Sequence, residues 1–377
     1  MPGTWRSSTA QVFVGGRIPK IDSFWAATAL CSELFFAIEE WDLWDAAFGG
    51  MSKQVKRDWK TYRGESGLLA GLATKAGKAF GAKPRALGTE LFSSVETHVV
   101  QPLQALFNQS RLTINFKAPN WFGKQAGYDE YISMWDRLKT DASLNVNPDP
   151  QNPAHVRAKA DRWALYGQFG KADTQGAGMS LPHVKKSGGV TAPATYNFSP
   201  SKPAAADSQV FAALNYGRRM HGASTAYGLS CFELDHDFKR DAIFFAMDTF
   251  TPVSTGSGYK SKDQRSKLYQ VSANSFGGAI LLAIKSQYDE NPNAVNLQHS
   301  VALASALLAA ARAGSDMSDT GENHLLIEAH IFREVKMTTA CISGIRLSKQ
   351  EIAAVPTASA NIKAFTQRTG IPVSYVA

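Results

Sequence analysis

The sequence predicts an α+β protein in which a helical N-terminal module precedes a mixed α/β C-terminal module. Three observations carry that prediction. All eight tryptophans, from Trp5 to Trp163, fall in the first 163 residues, and the rest of the chain has none. Before residue 170 the apolar residues recur mostly at helical spacing. After residue 193 short β-rich runs mix with helical stretches without strict alternation, which favours α+β over a doubly wound sheet. The expected organisation is therefore a Trp-rich helical module over 1–169, a linker over 170–192 and a second module over 193–377.

The elements follow in order. Asp22 or Ser23 suits the N-cap of a helix that Gly49 and Gly50 end. Within it Cys31, Leu34, Phe35, Ile38, Trp41 and Asp45 keep helical spacing. Thr89 to Gln109 reads as a helix that Pro102 kinks or splits. Tyr128 to Lys139 and Pro153 to Phe169 read as two more, the second with Asn152 as cap and Pro153 at the first helical position. Residues 170 to 209 are rich in Gly, Ser, Pro, Ala and Lys and carry one expected strand, Ala194 to Phe198. Beyond them, strands are expected at Leu229–Leu234, Ala242–Met247, Leu325–Phe332 and Ala340–Leu347. Helices are expected at Ser208–Arg219, Gln264–Lys285 and Leu297–Arg312. Ser348 and Glu351 have the S-x-x-E spacing of a capping box opening a short helix.

Composition narrows the function classes. An apolar fraction of 44% fits a packed globular chain rather than a disordered one. The net charge of +8 permits contact with nucleic acid or anionic lipid without requiring it. The three cysteines, Cys31, Cys231 and Cys341, form no C-x-x-C pair and are odd in number, which argues against a zinc ribbon, a redox motif or a disulfide framework. The longest strongly apolar stretch, Val301 to Ala311, is too short for the roughly 20 residues of a bilayer span. The N-terminal residues lack a cleaved-signal pattern, so synthesis in a cytoplasm without a cleaved signal is expected, and no transmembrane segment.

Several motif classes are missing. There is no G-x-x-x-x-G-K-[ST], no G-x-S-x-G and no H-E-x-x-H. The Gly-rich run Gly67–Gly81 follows no expected strand, so no nucleotide loop is read there. Between Glu65 and Glu90 there is no acidic residue while Lys75, Lys78, Lys83 and Arg85 accumulate. This is either a solvated basic face or flexible hinge, or an amphipathic helix that meets an anionic membrane or nucleic acid. Asp235-His236-Asp237 is read as a surface turn, and no metal site is expected.

Two constellations remain. In Leu325–Phe332, alternation puts Leu326, Glu328, His330 and Phe332 on one face of a strand and Ile327, Ala329 and Ile331 on the other. The carboxylate and imidazole mark either a cleft or a half-solvated strand with a cross-strand ion pair. The second is Tyr216–Gly228, where two tyrosine–glycine pairs bracket Arg218, Arg219, His221, Ser224, Thr225 and Tyr227. Glycines allow close backbone approach, arginines grip phosphates and aromatics stack on flat rings, which suits a dinucleotide. The alternative is a long surface loop with incidental charge. Asp248 and Thr249 end the run AIFFAMDTF as rim residues.

From about residue 190 to 355 the order of these pieces resembles the ADP-ribosyltransferase fold of bacterial toxins and effectors. The matching pieces are YGRRMHGAST, the strand YGLSCFEL, the strand AIFFAMDTF and the late strand LLIEAHIF. The resemblance implies a NAD-consuming enzyme that breaks the nicotinamide–ribose bond and passes ADP-ribose to a protein, a nucleic acid or water. It makes NAD the substrate, with no metal. It implies Glu328 as the catalytic carboxylate with His330 beside it. Arg218, Arg219, His221, Ser224, Thr225, Tyr227 and Asp248 would then hold NAD. HGAS resembles the H-G-[ST] start of the histidine-type branch, while Leu326 stands where the family's E-x-E or Q-x-E begins. An effector of this kind implies a macromolecular acceptor, an immunity protein or chaperone, and delivery into another cell by a secretion system. The rival readings are a nucleic-acid-directed toxin, either a nuclease or an RNA binder, and a non-enzymatic structural or membrane-active protein.

Overall fold

The computed structural model describes residues 34, 37, 38, 40–48, 93–131, 210–248, 270–290, 297–313, 316–317 and 325–377. The expectations for Gly67–Gly81, Lys75–Arg85, Pro153–Phe169, the linker 170–192, Ala194–Phe198 and Thr249 lie outside these residues.

Alternating apolar residues over short runs build one eight-stranded sheet. Its strands are β1 Arg111–Phe116, β2 Val210–Asn215, β3 Ser230–Leu234, β4 Ala242–Phe245, β5 Gln270–Ser272, β6 Glu328–Ile331, β7 Ile342–Ser348 and β8 Val373–Val376. They lie in the order β5-β4-β6-β2-β1-β3-β7-β8. Neighbours are antiparallel except β7 and β8, which run parallel. The described α-helices are α1 Trp44–Phe48, α2 Gln101–Gln109, α3 Ala118–Phe122, α4 Phe276–Glu290, α5 Leu297–Ala313, α6 Lys349–Ala353 and α7 Ala358–Thr369.

The pairing register separates the two faces. Leu112, Ile114, Phe116, Leu214, Phe232, Phe244, Ala329, Ile331 and Ile345 are buried in the main core. Helices α2, α4 and α5 pack together on the β4 side of that core, and α3, α6 and α7 cluster on the β7 side. Phe107 of α2 stacks on Phe276 of α4 at 4.6 Å and meets Phe244 of β4 edge-on at 5.0 Å. On the other side Phe116 stacks on Phe232 at 4.2 Å with Trp121 of α3 against both. Burying each such ring stabilises the fold by about 1.5–3 kcal/mol, so these clusters fix which face of the sheet is inside. The opposite face carries Thr113, Asn115, Glu233, Glu328, His330 and Arg346 in register.

The sequence expectations meet this fold unevenly. Leu297–Ala313 is helical, and the capping-box serine works as read, with Ser348 accepting from the Glu351 N–H. The expected helix through Pro102 is α-helical at 93–95, passes through a π-helical turn, Glu96–Val100, and is α-helical again over Gln101–Gln109. Pro102 follows that π turn directly, so the irregularity falls where a proline interrupts the helical hydrogen-bond ladder. Ser208–Arg219 is corrected: Val210–Asn215 is strand β2, paired on one side with β1 and on the other with β6. Its Ala and Leu suit a helix, but two flanking strands bury it and override that preference. Gln264–Lys285 also begins differently, with strand β5 and a one-turn 3-10 helix before α4. Residues 128–131, where another helix was expected to start, are extended and irregular, and Glu130 bridges Lys336.

The tryptophan boundary does not divide the sheet. β1 comes from the Trp-rich segment, yet β2 and β3 of the later segment flank it. The two segments therefore build one sheet rather than two cores. Among the described residues no helix is long and apolar enough to cross a membrane.

Candidate functional site

The Tyr216–Gly228 segment leaves β2 and returns into β3 across the polar face, held by side chains of the central strands. Asn115 of β1 is the chief clamp. Its amide donates to the carbonyls of His221 at 2.6 Å and Gly228 at 2.9 Å, and its oxygen accepts from the Ser224 N–H at 3.1 Å. Two residues away, Thr113 accepts from the Ala223 N–H at 3.0 Å. Asn215, ending β2, accepts from the Arg219 N–H and donates to the Arg219 carbonyl, both at 2.9 Å. Arg346 donates to that same carbonyl and pairs with Glu233 at 2.6 Å.

Positive φ lets the segment turn this tightly. Gly222 at φ 85 leaves no room for a side chain beside Asn115 and Cys231, and Gly228 at φ 145 lies against the backbone of Phe116. Arg218 adopts φ 51, a conformation that costs an L-residue about 1–2 kcal/mol. Glu351 holds the exit into β3. Its carboxylate accepts from the N–H groups of Leu229 and Ala118 and from the Ser230 hydroxyl.

The predicted residues of this loop divide by exposure. Arg218, Met220 and Tyr227 lie outside, the last two 53% exposed, and the Tyr227 hydroxyl donates to Asp248 at 3.4 Å. Arg219 and Ser224 are buried, at 5% and 8% exposure. His221 is half-buried with Nδ1 against the Leu229 carbonyl at 2.8 Å, so that nitrogen donates. Thr225 opens a single 3-10 turn that ends at Tyr227. Tyr216 donates to the Leu325 carbonyl, and burial pushes its phenol well above the ordinary range, with Arg219 pulling the other way.

The second constellation is a closed pair. His330 Nε2 lies 2.6 Å from Glu328 Oε1, and both residues are buried. The imidazole sits between the rings of Phe211 and Phe245, at 4.8 and 4.5 Å. Alternation along β6 put the two on one face, and β2 and β4 on either side bury them. The structure thus brings Glu328 to His330 and, separately, the loop to Asp248. Packing of Ala223 against Ala213 and Leu326 joins the two groups, because Ala213 lies directly opposite Glu328.

Sequence reasoning missed Thr113, Asn115, Asn215 and Glu351 as loop-holding residues. The alternating polar residues of LTINF were the available sign for the first two. Asp235-His236-Asp237 forms a capped 3-10 turn, as expected of a surface turn, with Asp235 accepting from the Asp237 N–H. Among the described residues no group of three His, Cys, Asp or Glu side chains is placed to hold a metal. No protein-family model matches this sequence and no curated protein matches it, so the ADP-ribosyltransferase resemblance stands on its quoted motifs alone.

Proposed function

We propose that this protein binds a single-stranded nucleic acid through the Tyr216–Gly228 loop. One observation carries the reading: a loop clamped from beneath leaves Arg218, Met220 and Tyr227 exposed along its length. A guanidinium for phosphates and an aromatic ring for bases on one loop is the combination such a strand requires. The distribution of charge supports it. The described residues hold 15 Lys and Arg against 17 Asp and Glu, so the whole +8 excess belongs to the segments outside them. One of those, residues 249–269, has four basic residues and one acidic residue, and it follows directly after Asp248, the partner of Tyr227. Fluorescence anisotropy with a labelled single-stranded oligonucleotide tests the reading. Affinity should fall linearly on a log–log plot against salt, and Tyr227→Ala should weaken binding about tenfold. Absence of binding at low salt would remove the proposal.

The second reading is NAD consumption, to transfer ADP-ribose to a macromolecule or to hydrolyse NAD. It is favoured by Glu328 and His330 sharing one face of β6. In it the Glu328 carboxylate would stabilise the oxocarbenium-like transition state, and Arg218, Arg219 and His221 would hold the dinucleotide. The burial of Glu328 and its bond to His330 weigh against it, since a ribose would have to displace both. Release of nicotinamide from labelled NAD by the wild type, lost by about 10²–10³-fold in Glu328→Gln, would support it. No release by the wild type would exclude it.

A further inference from the structure

Arg219 is buried to 5% exposure, yet its Nε and Nη2 have no hydrogen-bond partner among the described residues, and the same holds for the Ser224 hydroxyl, on a residue 8% exposed. Only Nη1 is used, donating to the Ala223 carbonyl at 3.1 Å. That carbonyl belongs to the residue immediately before Ser224. Glu233 pairs with Arg346, which also donates to the Arg219 carbonyl. The Tyr216 ring, 5.9 Å from the guanidinium, offers a weak face and no acceptor. A buried charge lacking partners costs several kcal/mol, and arginine does not escape that cost by losing its proton.

We propose that Arg219 and Ser224 form a recess for a tetrahedral phosphate oxyanion. Nε and Nη2 share one edge of the guanidinium and point two parallel N–H bonds the same way, the geometry that grips two phosphate oxygens. The Ser224 hydroxyl supplies a third donor. The loop is built to hold this edge still: Asn215 takes both the N–H and the carbonyl of residue 219, and Asn115 takes the N–H of residue 224. In the described state these atoms are shut off from solvent, so entry of the oxyanion requires the loop to open over them. This inference rests on the nucleic-acid reading for its natural ligand, a backbone phosphodiester, while the recess itself would serve any phosphate.

Two measurements on the full chain separate those claims. One is the melting temperature in inorganic phosphate against chloride at matched ionic strength. The other is affinity for a single-stranded oligonucleotide. Phosphate is expected to raise the wild-type melting temperature and not that of Arg219→Met. Oligonucleotide affinity is expected to fall about 10–100-fold in Arg219→Met, with a salt slope shallower by about 1. Ser224→Ala should lose less, and Arg219→Lys should recover part of the binding. A phosphate response that needs Arg219 in a protein binding no oligonucleotide supports the recess and removes the nucleic-acid reading. Oligonucleotide binding and phosphate response unchanged in Arg219→Met overturn the recess and leave that reading standing. If Arg219→Met does not fold, wild-type binding and phosphate response in both Ser224→Ala and Arg219→Lys overturn it equally.

Discussion

Asn115 shows how much one polar side chain on a strand can hold. It makes three hydrogen bonds to the loop backbone, and removing it takes a donor from the His221 and Gly228 carbonyls and an acceptor from the Ser224 N–H. Asn115→Ala should cost about 2–3 kcal/mol, read by urea denaturation, and should weaken oligonucleotide binding even though Asn115 touches no ligand. Glu328→Ala should cost a similar amount, because it strips a buried imidazole of its acceptor, whereas Glu328→Gln keeps one. Lys239 makes a different prediction. Its Nζ donates to the carbonyls of Phe107, Asn108 and Ser110, closing the end of α2. Burial, and secondarily Arg111, pull its pKa from 10.5 to about 8. Between those values the unfolded chain holds more protons than the folded one, so stability should rise with pH from about 8. Tyr216 acts oppositely. Its pKa is raised from 10.0 in the folded state, so the stability it contributes is lost as pH climbs above that value. Denaturation curves at several pH values should show the rise vanish in Lys239→Met and the later fall vanish in Tyr216→Phe. A rise that persists in Lys239→Met would assign it to another group.

At the level of elements, close approach decides which residues are tolerated. Helix α4 lies so near the start of α2 that a Cβ on Gly277 would stand 2.3 Å from the Val100 carbonyl oxygen. Gln104 spans the same junction, donating to the Ala273 carbonyl and accepting from the Gly277 N–H. Gly277→Ala should therefore destabilise the protein by about 1–3 kcal/mol despite the better helix propensity of alanine. A melting temperature equal to or above wild type would show that the two helices can slide apart. Strand β6 was legible because its apolar and polar residues alternate without a break. Strand β2 was not, because Val210-Phe-Ala-Ala-Leu has no alternation and its strand state comes from pairing on both sides.

For the whole molecule, the central place of β1 changes what cleavage should do. The residues between Tyr131 and Val210 join two neighbouring strands of one sheet, and trypsin sites such as Lys171, Lys185 and Lys186 lie among them. Limited trypsin digestion there should yield two fragments that co-elute on size exclusion and separate only in denaturant. Residues 193–377 expressed alone lack β1 and should not fold, because β2 and β3 would face each other across a missing strand. A cooperative thermal transition for that fragment would show instead that the later segment is self-sufficient.

The sequence by itself determined the α+β class, the placing of Glu328 and His330 on one face of a strand, the Ser348 cap and the concentration of arginines and hydroxyls between two tyrosine–glycine pairs. These are local properties, set by period, capping chemistry and composition. Only the tertiary structure decided that β1 and β2 pair across a long insertion, that Glu328 is spent on His330, and that Arg219 turns inward while Arg218 faces out. Those outcomes depend on residues far apart in the chain: Asn115 holds the His221 and Gly228 carbonyls, and Arg346 donates to the Arg219 carbonyl. No pattern within the loop encodes a partner that arrives from more than a hundred residues away.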